Sequence, residues 1–197
     1  MLTAERMTSA DLALLPDDGK HYELIEGELF MSRQPSWEHQ FSCGQFFRYL
    51  QGWSEKTKLG VAIMAPGVLF ADDDDVAPDV VWISKERLQM QNSIDKSGHL
   101  LVAPELVIEV LSPGLTNELR DKQAKLKLYS RRGVKEYWVA DWMRKQIEVY
   151  RREQGALKLT ATLFADDDLT SPLLPGFSCK VIKMFFTLFS LTDSEQD

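Results

Sequence analysis

Cysteine and surplus positive charge are both scarce in this chain. Cys43 and Cys179 are its only cysteines. Neither belongs to a CxxC pair, and neither is read as having a histidine at ligand spacing. That argues against a structural zinc site and calls for no oxidising compartment. Both are expected to be ordinary buried thiols. Lys and Arg total 23 against 30 Asp and Glu, a net charge of -7, and the pI is about 5.1. Such a chain does not coat nucleic acid through charge alone, although an acidic pocket can still meet a phosphate through a metal. No apolar run approaches the length of a membrane span. The N-terminal "MLTAERMTSADL" lacks a signal-peptide core. A cytoplasmic protein with no membrane partner is therefore expected. Internal repeats, linkers and low-complexity tracts are also missing.

What is present suffices for one folded domain. The 197 residues are 44% hydrophobic and 27% charged, a balance that supports a sizeable core. "MTSADLALL" predicts a short helix capped by Thr8, with Asp11 three residues on. "PDDGK" (16–20) is a turn, and "HYELIEGELFMS" alternates around Glu26-Gly27 as a hairpin. Ser36 caps a predicted helix over 37–56. Its Trp37, Phe41, Phe47, Leu50 and Trp53 recur at helical spacing as a core face, and Gly60 is expected to end the segment. Strands are predicted at 61–64, 67–70, 78–84 and 105–111, with a helical turn after Ser84 and a loop over 91–103. Beyond Pro113-Gly114, Thr116 or Asn117 caps a helix to about Arg132, with Gly133 as its stop. A strand at 135–141, a hairpin turning at Gln154-Gly155 and a short apolar element complete the chain. The terminal "TDSEQD" is expected to fray. This order predicts one mixed α/β domain over 1–197, with a central mixed sheet flanked by helices and hairpins towards both ends.

One strand raises a chemical question. "PELVIEVLSP" (104–113) is apolar yet carries Glu109 at its centre. A lone buried carboxylate is costly and is usually compensated by a partner or a metal. A period of two puts Val107, Glu109 and Leu111 on one face. In "APDVVWIS", Asp79 opens a second apolar run. If the two strands are neighbours, Asp79 and Glu109 converge, and they repel unless a cation or shared proton lies between them. Oxygen-only ligands suit Mg²⁺, with Mn²⁺ as a substitute. If the following helix folds back over the sheet, Lys125 comes level with Glu109, near enough to act on a reacting phosphate. The helical wheel leaves the choice open. Leu115, Leu119, Leu126 and Tyr129 mark the predicted buried face. Lys122 lies within that stripe and is slightly preferred, while Lys125 flanks it. Asp121 and Lys125 can also be read as a solvated i,i+4 ion pair.

The motifs together resemble a known pattern. "YELIEGEL" (22–29), "PDVV" (78–81), "EVLSPG" (109–114), "DKQAKLKLY" (121–129) and "GVKEYWVAD" (133–141) occur in that order. They resemble a bacterial restriction-endonuclease-like family of the PD-(D/E)xK nuclease superfamily, over about residues 8–185. The resemblance implies a restriction-endonuclease-like core and a divalent metal held by Asp79, Glu109 and the carbonyl of Val110. It also implies an active lysine displaced onto the following helix, which matches Lys125 rather than Lys122. The superfamily's usual lysine position holds Leu111 here. Glu23 matches a family acidic position, with Glu26 and Glu28 as weaker candidates. The implied function is Mg²⁺-dependent endonucleolytic hydrolysis of phosphodiester bonds, in DNA first, with a homodimer as the simplest way to cut both strands. The alternative is a nuclease-fold protein without cleavage activity that binds DNA or protein as a regulatory module.

Other candidates have simpler readings. Asp72–Asp75 do not fit an EF-hand loop and are expected as an exposed acidic turn guarding a sheet edge. The "ADDD" of 165–168 is read likewise. His39 can touch substrate or metal, but a lone histidine in a first turn is more often structural. Arg131, Arg132, Arg151 and Arg152 are expected as surface charge.

Overall fold

The structure, a computed structural model, describes residues 6–16, 18–32 and 34–186. The terminal "TDSEQD" lies outside them. Near the N-terminus Thr8 and Asp11 close a reciprocal capping box on α1 (Ser9–Leu12). β1 (His21–Ile25) and β2 (Glu28–Ser32) form the predicted hairpin. Its turn residues Glu26 and Gly27 both take positive φ, 54° and 74°.

Ser36 caps α2 (Trp37–Thr57) by accepting the N–H of His39. Leu50 is buried and Phe47 and Trp53 pack partly buried against the core as expected, but the fully buried face of α2 is not the aromatic stripe. It comprises His39, Ser42, Cys43, Phe46, Leu50 and Ser54, while Trp37 is exposed. Small and polar residues line this seam because the helix lies close on the sheet and each polar group finds a partner. Ser54 Oγ, for instance, accepts the indole N–H of Trp82. The helix stops at Lys58 in a left-handed conformation, φ 61°, not at Gly60. Gly60 opens β3 (Gly60–Met64), where a Cβ would fall 2.3 Å from the carbonyl oxygen of Ile83.

β4 (Val68–Ala71) and β5 (Asp74–Val76) come next, then β6 (Val80–Ser84), α3 (Lys85–Leu88) and β7 (Leu106–Val110). The acidic run is thus only partly a turn. Asp74 and Asp75 belong to β5 and are buried. Asp74 accepts hydrogen bonds from Arg131, Arg132 and the backbone of Glu26, and Asp75 accepts from Ser9. Paired in this way, carboxylates can enter a strand that an unpaired acid run would avoid.

The helix after β7 also departs from expectation. α4 (Leu115–Leu119) passes into a π-helical turn, Arg120–Lys125, and then α5 (Leu126–Arg132). Gly114 occupies the N-cap with no side-chain cap. Asn117 is already inside the helix and donates to the carbonyl of Pro113, so neither Thr116 nor Asn117 caps it. Gly133 ends the segment as expected, at φ 89°.

β8 (Glu136–Asp141), β9 (Gln146–Glu153) and β10 (Ala156–Phe164) complete the large sheet, ordered β10-β9-β8-β7-β6-β3. Its β7–β8 pair is parallel and its other pairs are antiparallel. A second sheet runs β2-β1-β5-β4, and β11 (Asp168–Thr170) pairs with β12 (Ser178–Lys180). The period of two divides the core. Leu106, Ile108 and Val110 pack towards α2 through Phe46 and Leu50. Val107 and Leu111 pack towards Leu128 and Tyr129 of α5. Among the described residues no helix is long and apolar enough to cross a membrane.

Candidate active site

Pairing of β6 with β7 sets the geometry. Val80 lies opposite Ile108, so Asp79, one residue earlier, reaches the end of β7. Its Oδ2 accepts the N–H of Val110 at 2.7 Å and lies 3.3 Å from Nε2 of His39. Glu109 is only 2% exposed. Its Oε1 accepts from Lys125 Nζ at 3.0 Å and from the Tyr129 hydroxyl at 2.7 Å. Glu23 arrives from β1. Its Oε1 accepts the N–H of Ala77 and lies 2.9 Å from the same Lys125 Nζ. Glu23, Asp79, Glu109 and Lys125 therefore share one cleft of about 140 Å³, which His39, Ser112 and Arg120 also line.

Two sequence expectations change here. Lys122, which the wheel preferred, turns away to Glu118 and Glu148, while Lys125 is 2% exposed beside Glu109. A π turn closes i→i+5 hydrogen bonds and so advances the register by an extra residue. A wheel drawn at 3.6 residues per turn misplaces the side chains across such a turn. Consistently, Leu115 and Leu119 of the predicted buried stripe are exposed. Nor is Asp121–Lys125 a solvated pair. Asp121 is fully buried and is held by Arg120 through Nε at 2.8 Å and Nη2 at 3.2 Å. Glu26 and Glu28 stay out of the cleft, Glu26 pairing with Lys127 and Arg131.

Burial dominates the electrostatics. It pushes the Glu109 carboxyl up to about 8; Lys125 opposes the rise, and Asp79, Asp121 and Glu23 add to it. Burial alone would also raise Asp79, but His39, Lys125 and the Val110 N–H outweigh it and hold Asp79 below the usual carboxylate range. For Lys125 burial works against the charge, yet Glu109, Glu23 and Asp121 keep its ammonium protonated well beyond the ordinary lysine value.

The donor set fits a hard divalent cation. Glu23, Asp79 and Glu109 are each fixed through one oxygen: Oε1, Oδ2 and Oε1. The second oxygen of each accepts no hydrogen bond from the described protein. Oxygen donors of this kind suit a hard divalent cation, although among the described residues the set with ligand atoms within 4.8 Å of one another is His39, Cys43 and Asp79 and not these three carboxylates. A softer site fits less well. His39, Cys43 and Asp79 do bring ligand atoms within 4.8 Å of one another. This His39–Cys43 pair, four residues apart on α2, corrects the reading that neither cysteine has a histidine nearby. However, Cys43 Sγ meets Nδ1 at 3.5 Å while Asp79 meets Nε2. One ion on a single imidazole nitrogen cannot face both. Burial, with Asp79 and Glu109 nearby, also drives the Cys43 thiol far above its usual value, against the thiolate a soft metal needs.

A family profile described as Uma2, "Putative restriction endonuclease", matches residues 9–182. The chain belongs to this family. A crystal structure from Anabaena variabilis ATCC 29413, described as "a putative nuclease belonging to DUF820", shares the fold of this Uma2 member. The TM-score is 0.72 at 18% identity, covering 91% of this chain and 97% of that one. Comparison with curated proteins gave no match.

Some groups in and behind the cleft were hard to see in the sequence. Tyr129 ends the D-x-x-x-K-x-x-x-Y motif, yet it reads there only as a core residue; its hydroxyl bond to Glu109 needs the tertiary structure. Arg120 carried no signal beyond its place next to Asp121.

Proposed function

We propose that this protein is a divalent-metal-dependent endonuclease that hydrolyses phosphodiester bonds, with DNA as its first substrate. One observation carries the reading: Glu23, Asp79 and Glu109 enter one cleft, each anchored through one oxygen and free at the other. The family and the convergence of Lys125 on two of these carboxylates support it.

Asp79 and Glu109 would hold the cation, with the Val110 carbonyl and Glu23 as further oxygen donors. When bound, a divalent ion there supplies Lewis-acid polarisation of a phosphate oxygen and makes a nearby water easier to deprotonate. The side chains supply the rest. The Val110 N–H and His39 fix Asp79 so that its free oxygen faces the cleft. Tyr129 and Lys125 both bond Oε1 of Glu109, which orients Oε2 outward. Lys125 keeps its proton between Glu23 and Glu109, so it offsets their repulsion once Glu109 is ionised. The buried walls limit solvent, which strengthens each charge–charge contact.

The test is a cleavage assay with Mg²⁺ or Mn²⁺ on wild type, Asp79→Ala, Glu109→Ala and Lys125→Ala. Wild type is expected to cut, and each variant to lose about 10²-fold or more. Equal cleavage by all four preparations would identify a contaminant and end this assignment.

A further inference from the structure

Lys125 is poorly placed to touch a substrate. It is 2% exposed, and its ammonium is held between Glu23 at 2.9 Å and Glu109 at 3.0 Å. Lys122 is engaged by Glu148 outside the cleft. The proposed reaction nevertheless places a phosphate, with growing negative charge, against an acidic pocket, and a cationic donor must face it.

Arg120 is the remaining cation lining the cleft with Glu23, Asp79, Glu109 and Lys125. Its side chain is 11% exposed, so it is sheltered yet reachable. One edge of its guanidinium, Nε and Nη2, is clamped on Asp121, and Asp121 is itself fully buried. Nη1 donates to no group of the described protein. The π turn that brings Lys125 to Glu109 starts at Arg120, so one irregularity presents both cations to the same cleft. An arginine locked along one edge keeps planar, directional donors along the other, a geometry suited to a phosphate and one that a lysine cannot reproduce.

We propose that Arg120 binds the scissile phosphate through its free Nη1 side, with Asp121 as the positioning residue that aims it. This rests on the nuclease reading of the cleft. The substrate group it recognises is a non-bridging oxygen of a phosphodiester.

The test uses the full-length protein with two variants. Arg120→Lys keeps a cation for Asp121 but loses the fork. Arg120→Gln/Asp121→Asn removes both charges and leaves no buried ion unpaired. Thermal melting and Mn²⁺ calorimetry establish that each variant folds and keeps its metal site. Oligonucleotide affinity is then measured with Ca²⁺ in place of Mg²⁺, and cleavage with Mg²⁺. Both variants are expected to bind Mn²⁺ as wild type does, to bind the oligonucleotide more weakly and to lose about 10²-fold in cleavage. Wild-type oligonucleotide affinity and cleavage in either variant would overturn the proposal, because Arg120 would then serve only as the counter-ion of Asp121. If wild type itself does not cleave, the nuclease reading fails. The affinity measurement still decides whether Arg120 holds phosphate.

Discussion

Glu109 shows how one residue joins stability to chemistry. Its carboxyl holds a proton up to about 8, chiefly because it is buried. In the unfolded chain the same group titrates near the ordinary glutamate value, about 4.5. Between these values the unfolded state has released the proton and the folded state has not. The Glu109 contribution to metal-free stability therefore falls as pH rises through that window. A divalent cation must displace that proton. Mn²⁺ affinity is accordingly expected to rise from pH 6 to pH 8, with a proton released on binding. Calorimetry in buffers of different ionisation enthalpy measures this release. Glu109→Gln is expected to abolish it, and a pH-independent affinity in wild type would contradict the assignment of Glu109. Asp79 and Glu109 were legible in the sequence because a carboxylate in or against an apolar strand demands an explanation. Lys125 was not legible from spacing alone, because nothing in the local pattern announces a π turn.

That turn is the element on which the site depends. Arg120–Lys125 adds a residue to the helix register and directs Asp121 and Lys125 inward. Inserting an alanine after exposed Gln123 adds a residue beyond the one the π turn absorbs, and is expected to rotate Lys125 out of the cleft and abolish cleavage, while helix content by circular dichroism is kept. Undiminished cleavage in the insertion would show that the register of this turn is incidental. The same helical segment anchors the small sheet. Arg131 and Arg132, at the end of α5, hold Asp74 of β5. Burial works against the Asp74 charge, but the Glu26 N–H and the two arginines keep its carboxyl below the usual range. Its stabilisation is therefore present above the ordinary aspartate value and is lost as pH falls through the lower folded value. Asp74→Ala is expected to cost about 2–4 kcal/mol at pH 7, at the lower end for a broken buried pair because both arginines are partly exposed. Urea unfolding at pH 7 checks the magnitude, and an unchanged midpoint would contradict it. The sequence suggested an acidic turn here because the arginines that make β5 possible lie almost sixty residues away.

For the molecule as a whole, local pattern carried most of the architecture. The N-terminal hairpin, α2, the strands around Asp79 and Glu109, and the Gln154-Gly155 hairpin were all legible, because each rests on periodicity or turn chemistry. Which face of α2 is buried was less legible, since His39, Ser42, Cys43 and Ser54 share the buried seam with Phe46 and Leu50. The separate four-stranded sheet was hidden too, because its β5 depends on long-range ion pairs. What the chain assembles is an acidic protein with a sheltered pocket, where three carboxylates and two cations meet at the end of the β6–β7 pair. The fold brings Glu23, Asp79 and Glu109 into one cleft that Arg120 and Lys125 also line. The most direct measurement is anomalous diffraction from a crystal of this protein soaked in Mn²⁺. The account predicts a peak bounded by Asp79, Glu109 and the Val110 carbonyl, with Glu23 close by. A peak at His39 and Cys43 instead, or no peak in this cleft at a Mn²⁺ concentration that supports cleavage, would contradict it.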